Sequence, residues 1–445
     1  MEYSELLKIA KKKQRNFGLK CIVDLPQNIR KAYDLPSKNE LNQIAEKLEI
    51  NVKNIYFVND ILFYFFDGLT SCRIMLDKNQ LNHYKKIIKD TLKRGKMCLE
   101  EDNFETHFMF LDKPLICNVF FSLFDIIPDD QKYEIFRDIY IELENAYESF
   151  EKSRIIDIMK YRTKEVIDEI KINIKNIDSN GYVTVYRGNG SRSTDPQIAY
   201  SWTLNLNTAI FFSLRYDKQD TTVYQAKIHI DDIYDYFADR GEAEIFLIPE
   251  KLVNIKPIDF IDLSKIRSTL EDAGIYTFIN NYEKKILSEH YNRPYGIHGV
   301  EHTKRVLLLL NILCYYEKLP REDVRLLSQV SLYHDIGRED DEECKNHGYQ
   351  SYEKALSLGV MKNGETDNDK ILQFIIENHC ISDKQAIENL NKYDITDISR
   401  AIKLFNVFKD ADGLDRARIK DIDIKYFRLE ISKKLPYLAY QLNRF

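Results

Sequence analysis

The chain is predicted to be mostly α and multidomain, with an α+β module set between helical regions. Three observations lead there. Its 445 residues exceed what one core of ordinary size organises, so two or three domains are expected. Only 15 residues are glycine, and β-branched runs are sparse outside one region, which favours helices. Strand-like text is confined to the stretch after Ser179-Asn-Gly181, between two long helical tracts.

Bulk properties exclude several classes. Charged residues make up 31% and hydrophobic ones 44%, a globular rather than a disordered composition. A formal net charge of −6 gives no global pull towards nucleic acid or an anionic membrane, while a local basic patch stays open. The longest apolar stretches, 63–66 and 306–310, fall far short of a membrane span, so no membrane partner is expected. The seven cysteines (Cys21, Cys72, Cys98, Cys117, Cys314, Cys344, Cys380) are odd in number and scattered, without a CxxC. They read as free thiols rather than a disulfide frame or zinc ribbon. The opening residues, MEYSELLKIAKKKQRNF, hold no apolar run of a signal peptide. Cytoplasmic location is the expectation.

Taken in order, residues 1–127 are expected to be a helical region of no assigned role. Ser37-Lys-Asn-Glu40 is a capping box, followed at helical spacing by Leu41, Ile44, Ala45 and Leu48. The aromatic-rich stretch Asn54–Phe66 fits a strand or a buried helix. Asn79–Arg94 is amphipathic with a basic face. From Pro128 the text turns helical, with Asp129 and Asp130 at the positive end of the helix dipole, and runs to about Ile174. Strands are expected at 182–186, 199–203, 222–230 and 244–248, with a helix through 209–212. Pro257 and 259–264 read as a linker, and helices resume near Ile266. The domains expected are 1–127, 128–262 and 263–445.

Two constellations carry chemistry. His302, the pair His334–Asp335 and Asp412 come from three segments that are each specific: His298-Gly-Val-Glu-His-Thr-Lys-Arg305, Leu332-Tyr-His-Asp-Ile-Gly-Arg338 and Lys409-Asp-Ala-Asp-Gly-Leu-Asp415. Imidazole and carboxylate suit borderline divalent cations such as Mn²⁺, Fe²⁺ or Zn²⁺. A lone His-Asp pair is common; three blocks in order, each with its flanks, carry the argument. Six of the nine histidines (His290, His298, His302, His334, His347, His379) also fall from residue 290 onward. The blocks resemble the HD-domain metal-dependent phosphohydrolases, whose motif is H…HD…D on an all-helical domain, over roughly residues 280–445. The resemblance implies His302, His334, Asp335 and Asp412 as ligands of a divalent metal (Mn, Mg or Fe), with Asp335 at the chemistry. Asp410 is the nearest substitute for Asp412. His347 and His379 stand where some members place extra ligands or phosphate contacts. Lys304, Arg305 and Arg338 are candidates for substrate phosphate, and His298 is expected behind the ligands rather than among them.

The β region carries Tyr186-Arg187-Gly188, Ser201-Trp202-Thr203 and Gly241-Glu242-Ala-Glu244, in that order. The order resembles the arginine–serine–glutamate class of ADP-ribosyltransferases over roughly residues 130–260. That resemblance implies NAD as co-substrate, with Arg187 on its phosphates and Ser201 and Thr203 shaping the site. Glu244 would stabilise developing charge on the ribose, and Glu242 would engage a protein or nucleic-acid acceptor. Ser-Trp-Thr departs from the usual second-strand motif. No P-loop, complete dinucleotide fingerprint or Gly-x-Ser-x-Gly elbow occurs.

The reading is a bifunctional enzyme: a metal-dependent phosphohydrolase acting on a nucleotide-type phosphoester, joined to an NAD-dependent transferase-like module. Two alternatives stand beside it. The helical domain senses a nucleotide without turnover and gates the transferase, or both domains are degenerate scaffolds for a partner.

Overall fold

A computed structural model describes residues 1–13, 20–58, 62–143, 152–216, 221–238, 241–364 and 366–443. The molecule is 57% helical with two small antiparallel sheets. It divides into two compact units, Met1–Lys175 and Asn176–Phe445.

The first unit, expected to be helical with 54–66 open between strand and helix, also carries a sheet. This sheet is antiparallel, in the order β1 (Lys20–Cys21), β2 (Ile55–Val58), β3 (Leu62–Phe66), β4 (Ser71–Ile74). The aromatic stretch is thus two strands, with 59–61 outside the described residues. The unit's helices are α1 (Tyr3–Lys13), α2 (Gln27–Ala32), α3 (Lys38–Leu48), α4 (Leu81–Glu100), α5 (Phe104–Met109), α6 (Lys113–Leu123), α7 (Asp129–Glu142), α8 (Lys152–Met159) and α9 (Lys164–Asn173). The capping box forms at α3, where the Ser37 side chain accepts from the Glu40 amide and Glu40 accepts from the Ser37 amide. Leu41, Ile44 and Leu48 then bury against Phe57 and Phe65. Part of the helical tract expected from Pro128 to Ile174, residues 144–151, lies outside the described residues.

In the second unit, six antiparallel strands run β10-β7-β5-β6-β9-β8. They are β5 (Tyr182–Asn189), β6 (Ser201–Thr203), β7 (Thr222–His229), β8 (Ile233–Phe237), β9 (Glu244–Leu247) and β10 (Val253–Pro257). Four match expected strands. The other two were not expected, and Pro257, taken for a linker residue, closes the edge strand β10, where a missing N–H costs no ladder bond. Helix α10 (Leu206–Leu214) lies against β5. The approach is close because Gly188 has no side chain: a Cβ there would sit 2.0 Å from the Ala209 carbonyl oxygen.

The remaining helices form an all-α assembly: α11 (Leu263–Asp272), α12 (Ile275–Glu283), α13 (Val300–Tyr316), α14 (Arg321–Tyr333), α15 (His347–Ser357), α16 (Asp367–Asn378), α17 (Asp383–Asn389), α18 (Ile398–Leu414) and α19 (Pro436–Leu442). Helix α13 packs on α14 and α18, and α15 packs on α16. The apolar core of this assembly reaches α10 and strand β7: Ala209, Ile210, Leu214 and Val223 join the cluster of Leu307, Val330, Phe408 and Leu438. Phe260 stacks on Tyr437.

Asn207, buried at the start of α10, ties the two parts by polar bonds. Its Nδ2 donates to the Ile422 carbonyl (2.8 Å), and its Oδ1 accepts from the Ile422 amide (3.2 Å) and the Tyr440 hydroxyl (3.0 Å). Removing it strands buried donors and acceptors that water cannot reach. Asn207→Ala is therefore expected to destabilise the second unit by about 2–3 kcal/mol in urea unfolding. A change under roughly 0.5 kcal/mol, the size of an ordinary surface substitution, would show that these bonds do not hold the sheet to the helices.

Candidate metal centre and strand-end cluster

The helical assembly brings five helix ends to one point. His302 lies in the first turn of α13, and His334 caps the C-terminus of α14 with Asp335 one residue on. His347 opens α15, His379 caps α16, and Asp412 lies in the last turn of α18. Each helix is fixed by an apolar face: Val306, Leu307 and Leu310 on α13, Leu327 and Val330 on α14, Phe374 and Ile375 on α16. Gly348 allows α15 to start against the end of α16, since a Cβ there would lie 2.5 Å from the Ile376 carbonyl oxygen. That approach brings His347 to His379.

Four imidazoles meet in two pairs. His302 Nε2 lies 3.1 Å from His334 Nε2, and His347 Nε2 lies 2.9 Å from His379 Nε2. Every Nδ1 is engaged elsewhere: His302 with the Asp415 carboxylate (2.7 Å), and His334, His347 and His379 with the carbonyls of Ser331, Cys344 and Ile376. A carbonyl can only accept, so the ring proton of those three histidines sits on Nδ1 and the Nε2 lone pair points inward. Two lone pairs at such distances repel unless a proton or a cation lies between them.

Asp335 stands between the pairs. Its Oδ2 is 3.4 Å from His302 Nε2 and 3.6 Å from His334 Nε2; its Oδ1 is 3.1 Å from His347 Nε2 and 3.4 Å from His379 Nε2. Each oxygen of one carboxylate thus faces its own imidazole pair. Asp412 Oδ1 joins the first pair at 3.5 Å from His302 and 4.0 Å from His334. It is the solvent-facing member, with its side chain 30% exposed, whereas the Asp335 side chain is 3% exposed. These groups could hold a metal ion, and the donor chemistry fits a divalent cation.

The electrostatics agree. Burial would lower the pKa of His302, but hydrogen bonds to Asp335 and Asp415 outweigh it and raise it to about 9. Burial dominates at His334 and lowers it to about 3. His379 is also lowered, chiefly by burial. Burial opposes ionisation of Asp335, yet the surrounding imidazoles hold its pKa well below the usual carboxylate range. With protein groups alone, the first pair therefore carries its proton on His302.

Of the residues expected at this site, His302, His334, Asp335, Asp412, His347 and His379 converge, and His298 stands beside them with Nδ1 2.9 Å from Asp335 Oδ2. Others do not. Asp410 is turned away and accepts from the Arg428 and Leu429 amides and the Arg428 guanidinium, because residues two apart on a helix point nearly opposite ways. Lys304 pairs with Glu301. Arg305 binds Asp415 through Nε (2.6 Å) and Nη2 (3.1 Å), and Arg338 Nε lies 3.2 Å from Asp335 Oδ1, so both guanidiniums brace carboxylates of the site. Asp415 was missed. It is fully buried, orients His302, and takes both Arg305 and Arg418. Its spacing, three residues after Asp412 at a helix end, was the available signal.

A second cluster forms at the ends of β5, β6 and β9. Thr203 pairs across with Tyr186 and Glu244, and Ser201 Oγ donates to Glu244 Oε1 at 2.5 Å. Thr203 Oγ1 donates to the Glu242 carbonyl (2.6 Å). Ala243, between the two glutamates, takes a left-handed φ of 45°, a strained conformation for a residue with a Cβ. Arg187 starts from the opposite pleat to Ser201 and Glu244. Its Nη1 donates to the Ser201 carbonyl (2.5 Å) and its Nη2 to the Thr194 carbonyl (3.4 Å), so both terminal nitrogens frame the loop.

None of the seven cysteines forms a disulfide, and among the described residues no helix is long and apolar enough to cross a membrane. In comparisons with known proteins the chain matches no family model, no curated protein and no solved structure.

Two expectations follow for the metal centre. A cation entering the first pair must displace the His302 proton below pH 9, so Mn²⁺ affinity should rise with pH, by about tenfold per unit between pH 6 and 8. A flat profile would mean that no proton is displaced there. His334→Ala and Asp335→Ala should each abolish stoichiometric metal at the His302–His334–Asp412 set with the fold retained, read by metal analysis against the wild type and circular dichroism. Full metal content in either variant would dismiss the site.

Proposed function

We propose that the chain is a metal-dependent phosphohydrolase acting on a nucleotide-type phosphoester or phosphoanhydride, with Asp335 at the centre of a site for two divalent cations. One observation carries the reading: two imidazole pairs, each with inward lone pairs, face the two oxygens of one buried carboxylate. His302, His334 and Asp412 would hold one cation, and His347 and His379 the other, with Asp335 shared. Cations held there supply Lewis-acid polarisation of a phosphoryl oxygen and a bound water of lowered pKa. The protein's own contribution is orientation. Asp415 aims His302 through Nδ1, Arg305 and Arg418 hold Asp415, and Arg338 braces Asp335. The test is a screen of nucleotides and alarmones with Mn²⁺ and Mg²⁺ for release of phosphate, pyrophosphate or nucleoside. Turnover above an Asp335→Ala background supports hydrolysis. Retained metal with no turnover of any substrate turns the reading to a nucleotide sensor.

A second reading concerns the sheet. The Ser201–Glu244 hydrogen bond favours a transferase-type site in which Glu244 stabilises charge on the NAD ribose and Glu242 meets a protein or nucleic-acid acceptor. The engagement of Arg187 with two carbonyls makes it a frame for this site more than a phosphate clamp. Glu244→Gln should bind NAD yet lose on the order of 10²–10³ in nicotinamide release, because the lost interaction belongs to the transition state. Wild-type protein that neither binds nor cleaves NAD, with or without lysate as acceptor source, would remove the transferase reading and leave the sheet a structural module.

A further inference from the structure

The two halves of the metal centre differ in what completes them. The pair His302–His334 is joined by the Asp412 carboxylate, whereas the pair His347–His379 is joined by Cys380. The ligand atoms of His347, His379 and Cys380 lie within 4.8 Å of one another, close enough to share one ion after small adjustment. Cys380 follows His379 directly, at the end of α16, and is half-buried. Its thiol donates to the Lys345 carbonyl (3.2 Å), in the loop that leads into α15 and His347. No disulfide engages it.

We propose that Cys380 is a thiolate ligand of the cation held by His347 and His379, which makes that position a soft, zinc- or iron(II)-type site beside a harder His–His–carboxylate site. This rests on the two-cation reading above. With Asp335 Oδ1 the second set is two imidazoles, one carboxylate and one sulfur, a four-donor set of the kind zinc accepts. The first set, two imidazoles and two carboxylates, suits manganese or magnesium better. Ligation breaks the S–H bond: the sulfur lone pair goes to the cation, and the proton, now shared with the Lys345 carbonyl, leaves to solvent. The Lys345 carbonyl then loses that donor.

The test is titration of the full chain with Co²⁺, followed by metal analysis and absorption spectroscopy. A sulfur-to-cobalt charge-transfer band in the near ultraviolet should grow with the second equivalent. Cys380→Ser should still take two equivalents, lose that band and weaken the second by at least about 10- to 100-fold, the loss that even an outer partner of a ligand brings. Cys344→Ser, in the neighbouring loop, should keep the band. Two bound equivalents with no such band in the wild type, or a band that survives in Cys380→Ser, overturns the thiolate assignment while leaving the two-cation reading intact. Binding of a single equivalent, unchanged by His347→Ala, overturns the two-cation reading and the assignment with it.

Discussion

One buried carboxylate organises the helical half of this protein. Asp335 sits where five helix ends meet, and its oxygens divide four imidazoles into two pairs. A charge in that position is costly unless it is matched, and truncating one member of such a set leaves the rest uncompensated. The matching here is layered. Arg338 and His298 bond to Asp335 directly, while Asp415 with Arg305 and Arg418 holds the ring of His302 from behind. The apolar faces of α13, α14, α16 and α18 keep this polar group dry. The candidate metal centre is thus the place where the helical core concentrates its charge, at the ends of five helices.

The two imidazole pairs are built the same way. In each, a histidine at the start of one helix meets a histidine at the C-cap of the next, 32 residues later. In each, the C-cap histidine gives its Nδ1 proton to the carbonyl three residues back, Ser331 or Ile376. A helix end leaves such carbonyls without an intrahelical donor, so the cap satisfies the backbone and selects the tautomer at once. The inward lone pair is therefore a property of helix termination rather than of the cation. It is in place before any ion arrives, which is what preorganisation of a ligand means physically.

Much of this centre was legible in the sequence, since His302, His334–Asp335 and Asp412 are spaced and flanked in a distinctive way. The choice between Asp410 and Asp412 needed the phase of α18, because the two point to opposite sides and only one faces the cluster. Asp415 was hard to read for a different reason: it bonds the outer nitrogen of His302 rather than facing the cluster, and its spacing from Asp412, the one available signal, is ordinary near a helix end. The missed strands share a physical cause. Strand β10 is an exposed edge with no buried residue, and β8 alternates in burial but places Asp235 at a buried position between Ile233 and Phe237, so neither shows the apolar period that marks a half-buried strand in sequence. In the N-terminal unit, Leu62–Phe66 is nearly all apolar, and a continuous run of that length fits a buried helix as well as a strand until its partners are known.

The sheet and the candidate metal centre are carried on one compact unit, Asn176–Phe445, and α10 packs against both the sheet and the helical core. Helix α10 presents Ala209 and Ile210 to the cluster that also holds Leu307 and Phe408, and Asn207 bonds to the segment that follows Asp415. Along the chain from Glu242, the Thr203 hydroxyl bonds the Glu242 carbonyl, Asn205 bonds Thr203, and Asn207 bonds Asn205 before reaching Ile422. Such continuity is not by itself a signalling route, since coupling requires an element with two arrangements that both sites bias. It does fix the thermodynamics. An ion bound at Asp335 stabilises whatever unfolds with that site, by RT ln(1 + [L]/Kd). Where the strands of the Ser201–Glu244 cluster unfold together with the helices, they gain the same protection. A ligand on the sheet would return the favour to the metal centre in equal measure, because linkage is reciprocal.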